Sequence, residues 1–176
     1  LEKDTKIACT SLTGYSGGGK KMIAEYEDLG RSLEYGSPRI YALTQQHKHL
    51  REMKAVTGLL NEPHFTPIVA DYYSGMLVTV PIFEDMLNGT VEDITNVYKK
   101  KYGGEFVRYC DSIDDGGLIA SGVLSGFDYM KVSVAGSGGR MSLFAQYDNL
   151  GKGASGAAVE CMNIALGLPC ETGLVC

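Results

Sequence analysis

The segment Ser11-Leu12-Thr13-Gly14-Tyr15-Ser16-Gly17-Gly18-Gly19-Lys20-Lys21 decides how the rest of the chain is interpreted. A strand-compatible run, Lys6–Thr10, precedes it, and helix-favouring residues, Met22–Tyr26, follow it. Glycines let the backbone bend so that N–H groups converge, and the start of a helix adds positive potential. The pattern therefore predicts a strand, a glycine-rich turn and a helix that together suit the binding of an anion.

The same segment fits only part of the phosphate-binding P-loop pattern. Gly14 to Lys20 matches its first seven positions, but Lys21 stands where Ser or Thr should hold magnesium. Two interpretations stay open, anion binding without magnesium and a plain flexible turn between two elements. A nucleoside triphosphatase is disfavoured, and ATP binding would test it.

Composition limits the class of protein. The chain has 176 residues, 44% of them hydrophobic, and a net charge of −5, which argues against a general nucleic-acid surface. No apolar run is long enough to suggest a membrane span, and the start lacks a secretory signal pattern. Five cysteines at irregular spacings, with no CxxC pair, favour reduced thiols in a cytoplasmic protein over disulfides or thiolate zinc. The abrupt start, without Met, suggests a fragment.

Hydrophobic spacing and turn residues predict an α+β fold, a mostly antiparallel sheet with flanking helices. We expect four helices. The first covers Lys20–Leu29, and the second covers Gln46–Thr57 with His47 and His49 in its first turn. The third begins after a Thr90 cap with Asp93, and the fourth covers 152–166. The third of these should bury Val91, Ile94, Val97 and Tyr98. Strands are predicted at 39–44, His64–Ala70, Gly75–Ile82 and Phe106–Cys110, with a hairpin of 131–135 and 141–147.

The last predicted helix is unusual because its stripe is made of small residues, namely Ala154, Ala157, Ala158, Cys161 and Ala165. Small side chains let a helix approach another backbone closely. Nothing earlier in the chain obviously supplies that surface. We therefore expect residues 1–150 to form one α+β domain and residues 151–176 to form a helix and tail that pack on a domain absent from this chain.

Four segments, in order, resemble the later part of the N-acetyl-gamma-glutamyl-phosphate reductase family, especially its shorter type. They are SLTGYSGGGKKMI (11–23), LTQQHKHLREM (43–53), HFTPIVADYYSGMLVTVPI (64–82) and DNLGKGASGAAVECMNIALGLP (148–169). The first varies among glycine-rich family members, and the last also resembles aspartate-semialdehyde dehydrogenases. The order and extent of the matches make the resemblance specific, although no one motif would suffice.

The resemblance implies an NADPH-dependent reduction of an acyl phosphate to an aldehyde through a cysteine thioester, a step of arginine biosynthesis. It also implies a Rossmann domain for NADP(H) and a second α+β domain similar to the C-terminal domain of glyceraldehyde-3-phosphate dehydrogenase. The family's Pro-Gly-Cys-Tyr motif and its dinucleotide fingerprint do not occur in these residues. The chain thus resembles the substrate-binding and dimerisation domain with the closing helix, and alone it should lack reductase activity.

The resemblance also assigns site residues. His47 and His49 match the family's paired histidines, one of which would move the proton, with His47 favoured by its position before the apolar stripe. Two histidines two apart on a helix should not share a face, and a metal site between them is a weaker idea because no cysteine or carboxylate cluster is suitably spaced. The substrate-binding candidates are Ser16, Gly17, Gly18, Gly19, Lys20 and Arg39, and the cofactor-binding candidates are Asp148, Asn149, Lys152, Gly153 and Ala154.

Alternatives stay open for several of these residues. The histidines suit a solvated helix start as well, Arg39 and Lys48 suit an ordinary charged surface, and Asn149 suits a helix cap. Cys9, within a predicted strand, should be a structural thiol. At the level of function, a related acyl-phosphate reductase or semialdehyde dehydrogenase domain and a non-catalytic module that only pairs subunits are the two rival hypotheses.

Overall fold

The computed structural model describes all residues, 1–176, as a seven-stranded mixed sheet with four α-helices. The strands are β1 (Ala8–Gly14), β2 (Arg39–Ile40), β3 (His64–Ala70), β4 (Met76–Phe83), β5 (Val107–Tyr109), β6 (Met130–Ser137) and β7 (Arg140–Tyr147). The helices are α1 (Gly19–Glu27), α2 (His49–Thr57), α3 (Val91–Lys101) and α4 (Gly156–Leu166). No helix is both long enough and apolar enough to cross a lipid bilayer.

The strand order is β2-β3-β1-β4-β7-β6-β5. Four neighbouring pairs are antiparallel, whereas β1 with β3 and β5 with β6 run parallel. The prediction of a mostly antiparallel α+β sheet is confirmed, and the sheet is not a doubly wound Rossmann sheet. The predicted hairpin is also confirmed, since β6 and β7 pair from Met130 with Tyr147 to Ser137 with Arg140.

One face of the sheet forms the hydrophobic core. Under α2, Cys9 and Phe65 of paired strands pack against Leu50. A second cluster beside α3 consists of Ile82, Val134 and Met141. Alternation along each strand puts every second side chain on this face, as expected for a sheet with one covered side.

The opposite face of the sheet carries both buried and half-buried side chains, and Gln146 on it is only 1% exposed. Strand register aligns Thr10 with Thr79, Leu12 with Leu77 and Thr79 with Phe144. All of these side chains are only half-buried. The loop near Ala120 covers one end of this face, where Gln146 donates a hydrogen bond to the Ala120 carbonyl oxygen at 2.6 Å.

Helix α3 follows the predicted start closely. The Thr90 hydroxyl accepts a hydrogen bond from the Asp93 N–H at 3.2 Å, while the Asp93 carboxylate accepts from the Thr90 N–H at 2.8 Å. This capping box is confirmed. The predicted burial of Val97 is wrong, because 57% of that residue is exposed. Its neighbours on the stripe, Ile94 and Tyr98, do pack against the core cluster.

The segment before α2 departs from the prediction. The strand expected at 39–44 ends at Ile40, because Ala42 and Gln45 adopt positive φ angles of 53° and 55°. The helix then begins at His49 with Lys48 as its N-cap, so placing His47 in its first turn was wrong.

The last helix begins with one π-helical turn, Gly151–Ser155, before the regular helix α4. Its small-residue stripe is largely uncovered, since Ala154, Ala158, Cys161 and Ala165 are exposed and only Ala157 is half-buried. Met162, Ile164 and Leu166 are each more than half exposed. The helix therefore presents an unpartnered surface in this chain.

Gly14, at the end of β1, requires a residue without a side chain. A Cβ there would lie 2.5 Å from the Tyr73 carbonyl oxygen and 2.7 Å from that of Tyr72. We expect Gly14→Ala to lower the free energy of unfolding by about 1–3 kcal/mol through overpacking. Urea denaturation measures this loss. Gly36→Ala, where a Cβ meets nothing within 4 Å, is the matched control and should change stability by less than about 0.5 kcal/mol; equal stabilities of the two variants would contradict the packing argument.

Candidate functional site

The glycine-rich turn is joined to the last segment of the chain by one side-chain pair. The Asn149 Nδ2 donates a hydrogen bond to Ser16 Oγ at 2.9 Å, and Asn149 Oδ1 accepts from the Gly75 N–H at 2.8 Å. Asn149 therefore does not cap the last helix, where Leu150 is the N-cap and no side chain caps it. The predicted substrate and cofactor segments thus meet at Ser16 and Asn149.

Backbone hydrogen bonds fix the start of this turn. The N–H groups of Gly14, Tyr15 and Ser16 donate to the carbonyl oxygens of Gly75, Tyr72 and Tyr73, at 3.0, 2.9 and 3.1 Å. Gly75 has a φ of 117° and no space for a Cβ, which would lie 2.5 Å from the Ser121 carbonyl oxygen. The loop at 72–75 is therefore the frame of the turn, and sequence analysis did not place it there.

Beyond this frame the turn opens to the surface. Ser16 is buried, whereas Gly17, Gly18, Gly19 and Lys20 are exposed. A short 3₁₀ turn, Tyr15–Gly18, leads directly into α1. The predicted order of a strand, a glycine-rich turn and a helix is confirmed, and anion binding at this turn stays a prediction.

Two of the predicted cofactor-binding side chains already have partners within the chain. The buried carboxylate of Asp148 accepts from the Gly126 N–H at 2.7 Å and from the Leu150 N–H at 3.0 Å. Lys152 forms an ion pair with Glu160 at 2.5 Å. Gly153 and Ala154 are exposed beside them. Both charged side chains of this segment are therefore engaged within the chain, and Gly153 and Ala154 are its exposed part.

Arg39 lies in an aromatic cluster. Its guanidinium is 3.9 Å from the Tyr35 ring centroid, and its Nε donates to the Tyr26 hydroxyl at 3.2 Å. Tyr26 in turn stacks on Tyr15 with ring centroids 4.9 Å apart. The structure therefore connects Arg39 to the turn through aromatic rings, and its contacts are those of a packing residue.

The two histidines are neighbours. Their ring centroids are 4.7 Å apart, and the His49 N–H donates to His47 Nδ1 at 3.3 Å. The expectation that they diverge on one helix is wrong, because His47 precedes the helix. The His47 ring also contacts Phe65, with centroids 5.1 Å apart. His49 approaches Glu52 at 3.9 Å.

A cavity of about 500 Å³ opens beside His47. Its lining is mostly polar and charged, consisting of Gln45, Gln46, His47, Lys48, Leu50, Arg51 and Glu62. Burial and the positive charges of His49 and Lys48 lower the pKa of His47 below its ordinary value. A neutral imidazole at this position can accept a proton near neutral pH. Arg51 and Glu62 were not predicted, since nothing in a single sequence distinguishes them from other surface charges.

The histidines and the glycine turn do not share this cavity. Phe65, which His47 contacts, lies five residues before Ala70, and Ala70 is the register partner of Gly14. At about 3.3 Å per residue, roughly 17 Å of strand separates the two groups. The single chain therefore contains two candidate sites at opposite ends of β1 and β3.

Among the cysteines, Cys9 is buried in the core beneath α2. Burial raises the pKa of the Cys9 thiol to about 11, so it stays protonated at neutral pH and is no activated nucleophile. All five cysteines are free. No group of three or more His, Cys, Asp or Glu side chains is arranged to hold a metal ion.

Comparison with known proteins identifies the family. The family model described as semialdehyde dehydrogenase, dimerisation domain, matches residues 1–149. The chain belongs to this semialdehyde dehydrogenase dimerisation-domain family. Among curated relatives, an N-acetyl-gamma-glutamyl-phosphate reductase of Rhizobium meliloti is 39% identical over 91% of this chain and 54% of its own length. N-acetyl-gamma-glutamyl-phosphate reductase 2 of a Nostoc species is 38% identical over 99% of this chain and 58% of its own length.

The relatives confirm the resemblance found in the sequence, and the chain spans little more than half of their length. Solved structures show the same fold for the domain. Aspartate semialdehyde dehydrogenase II from Vibrio cholerae superposes with a TM-score of 0.67 at 16% identity, over 92% of this chain and 55% of that one. The enzyme from Francisella tularensis gives a TM-score of 0.64 at 13% identity, over 92% and 57%.

The lowered pKa of His47 predicts how stability depends on pH. Because the folded state binds this proton less tightly than the unfolded chain, where the pKa is 6.5, the free energy of unfolding should fall as pH decreases from about 6.5 through the folded pKa. His47→Gln should remove this part of the decrease. Urea denaturation at pH 5 to 8 tests it. His64→Gln, at an exposed side chain, is the control, and identical profiles for wild type and His47→Gln would contradict the prediction.

Proposed function

We propose that this chain is the substrate-binding and dimerisation part of a cytoplasmic, NADPH-dependent reductase. The reductase converts N-acetylglutamyl 5-phosphate to N-acetylglutamate 5-semialdehyde and phosphate, in arginine biosynthesis. The support is the naming of relatives at 38–39% identity across most of the chain. The structural observation that carries the proposal is the Asn149–Ser16 hydrogen bond, which joins the two segments assigned to substrate and cofactor.

The proposal gives the two ends of β1 different roles. At the glycine turn, Ser16 to Gly19 and Lys20 would hold an anionic group of the substrate. The exposed backbone at Gly153 and Ala154, next to Asn149, would face the nicotinamide end of NADPH, which supplies the hydride when bound. The uncovered surface of α4 would pack on the cofactor-binding domain.

His47 is proposed to accept and return the proton, because its ring is partly buried, faces a polar cavity and has a lowered pKa. The nucleophilic cysteine would come from outside these residues. Roughly 17 Å of strand lies between His47 and the glycine turn, and Gln45 holds the segment 41–48 on the backbone of Phe65. The reductase proposal therefore requires this segment to leave Phe65 and approach the turn in the complete protein. The activity of variants at each end of β1 tests the roles proposed for His47 and for the glycine turn separately.

The catalytic proposal predicts that the purified chain does not oxidise NADPH, and that joining it to the cofactor-binding half of the R. meliloti relative restores oxidation with N-acetylglutamyl phosphate. In the joined enzyme, His47→Asn should lower kcat by about 100-fold or more, the usual loss of a general acid–base group. Absorbance at 340 nm follows the reaction.

His64→Asn, an exposed histidine on β3, is the matched control and should leave kcat within about twofold. His49→Asn should cost less than His47→Asn. NADPH oxidation by the chain alone, or an unchanged kcat for His47→Asn, would overturn the assignment.

We also propose that the chain forms a homo-oligomer through the face of its sheet opposite α2 and α3. The matched family is a dimerisation domain. The half-buried side chains of that face, Leu12, Leu77, Thr79 and Phe144, lie side by side on three adjacent strands, and three of these four are apolar. Burying such a surface against a second copy would remove apolar area from water. A non-catalytic pairing module remains the rival function for the same face.

The oligomer proposal predicts that Leu77→Lys shifts the chain toward monomer, because a charge on the centre of the face would be buried without a partner. Light scattering coupled to gel filtration gives the mass directly. Leu33→Lys, at a residue that is 96% exposed in a different part of the surface, should leave the mass unchanged. A wild-type chain that is monomeric at high concentration would contradict the proposal.

A further inference from the structure

We propose that Asn149 is a positioning residue that makes the Ser16 hydroxyl a hydrogen-bond donor to an anionic oxygen of the ligand. The hydrogen bonds of Asn149 are independent of the function proposed above. Only the identity of the ligand, an acyl phosphate or its carboxylate, rests on that function.

The first step is the orientation of the Asn149 side chain. A backbone N–H can only donate, so the atom that faces the Gly75 N–H at 2.8 Å must be the carbonyl oxygen of the Asn149 amide. Its NH₂ group must then face Ser16 Oγ, at 2.9 Å. Gly75 itself is held by its bond with Gly14, at 3.0 Å between the Gly14 nitrogen and the Gly75 oxygen. The frame of the turn thus fixes which end of the amide points at Ser16.

The second step concerns the proton of Ser16. Because an NH₂ group donates, Ser16 Oγ accepts, and its own proton has to be donated elsewhere. No side chain or backbone oxygen of the chain accepts it within hydrogen-bond distance, although Ser16 is only 4% exposed. An unpaired buried donor is costly, and a ligand acceptor would remove that cost.

The third step is the chemical class of the ligand. The Ser16 proton is free, and one of the two lone pairs of its oxygen is used by Asn149, so the hydroxyl is suited to donate to an acceptor such as a phosphate or carboxylate oxygen. Lys20 and the three exposed glycines follow directly. A Cβ at Gly17 would lie 3.6 Å from Asn149 Nδ2 and 3.4 Å from Thr13 Oγ1, so this glycine lies directly beside the pair. Gly17 itself is exposed, so the glycine turn next to the buried Ser16 lies at the surface.

A direct contact between Asn149 and the ligand is the alternative, since each end of the amide retains capacity for one further hydrogen bond. The two roles differ in a double-mutant cycle. If Asn149 acts through Ser16, its removal costs nothing once Ser16 has been replaced. If Asn149 binds the ligand itself, the two losses add.

The test is calorimetric titration of the full chain with inorganic phosphate and, separately, N-acetylglutamate. One or both probes should bind to the wild-type chain, and Ser16→Ala and Asn149→Ala should each weaken the affinity for a bound probe by about tenfold or more. The double variant should bind no more weakly than Ser16→Ala. Asn96→Ala, on the exposed side of α3, is the control and should bind normally. Additive losses, or failure of the wild type to bind either probe, would overturn the proposal.

A second measurement needs only Ser16→Ala and so does not depend on the folding of Asn149→Ala. In ¹⁵N-labelled chain, the Asn149 side-chain NH₂ resonances should shift on this substitution, while those of Asn61 should not. Unchanged Asn149 resonances would show that the hydrogen bond is absent and the proposal wrong. If the joined enzyme fails to oxidise NADPH but the losses of binding in the double-mutant cycle are not additive, the reductase proposal fails and the positioning role of Asn149 stands. If the joined enzyme is active but the losses are additive, the positioning role fails and the reductase proposal stands.

Discussion

The three hydrogen bonds from the N–H groups of Gly14, Tyr15 and Ser16 to the loop at 72–75 are the constraint on which the candidate site depends. They end β1 at a fixed place and direct the chain into the glycine turn. They also hold Gly75 where its own N–H can orient Asn149. Because backbone groups impose this arrangement, it depends on the absence of side chains at Gly14 and Gly75 more than on any catalytic side chain.

The same frame explains why the chain has two separate polar sites rather than one. Strands β1 and β3 run parallel, so the turn follows their carboxyl ends while the segment before α2 reaches their amino ends. Gln45 pairs with the backbone of Phe65 through both of its amide atoms, which anchors the histidines at that end. A complete reductase would have to bring these ends to one substrate, and this is the strongest physical demand on the proposed function.

Local patterns predicted the fold well and the site only in part. The β6–β7 hairpin and the Thr90–Asp93 capping box depend on residues close in sequence, and both were found from spacing and turn chemistry alone. Neither Ala nor Gln is a residue type that indicates a positive φ angle, yet Ala42 and Gln45 both adopt one. The predicted placement of His47 inside the helix was therefore wrong. Ser16 and Asn149 are 133 residues apart, and only the assembled sheet brings them together. Likewise, nothing in the sequence marks Arg39 as a partner of Tyr26 and Tyr35.

The burial of Cys9 has a practical consequence. Its thiol lies under α2 within the paired strands, and its raised pKa leaves almost no thiolate at neutral pH. Cys161 and Cys176, in contrast, are exposed. Alkylating reagents should therefore consume the two exposed thiols from the native state, whereas Cys9 reacts only when the β1–β3 pair opens. The rate at which Cys9 is alkylated would therefore report how often the β1–β3 pair opens.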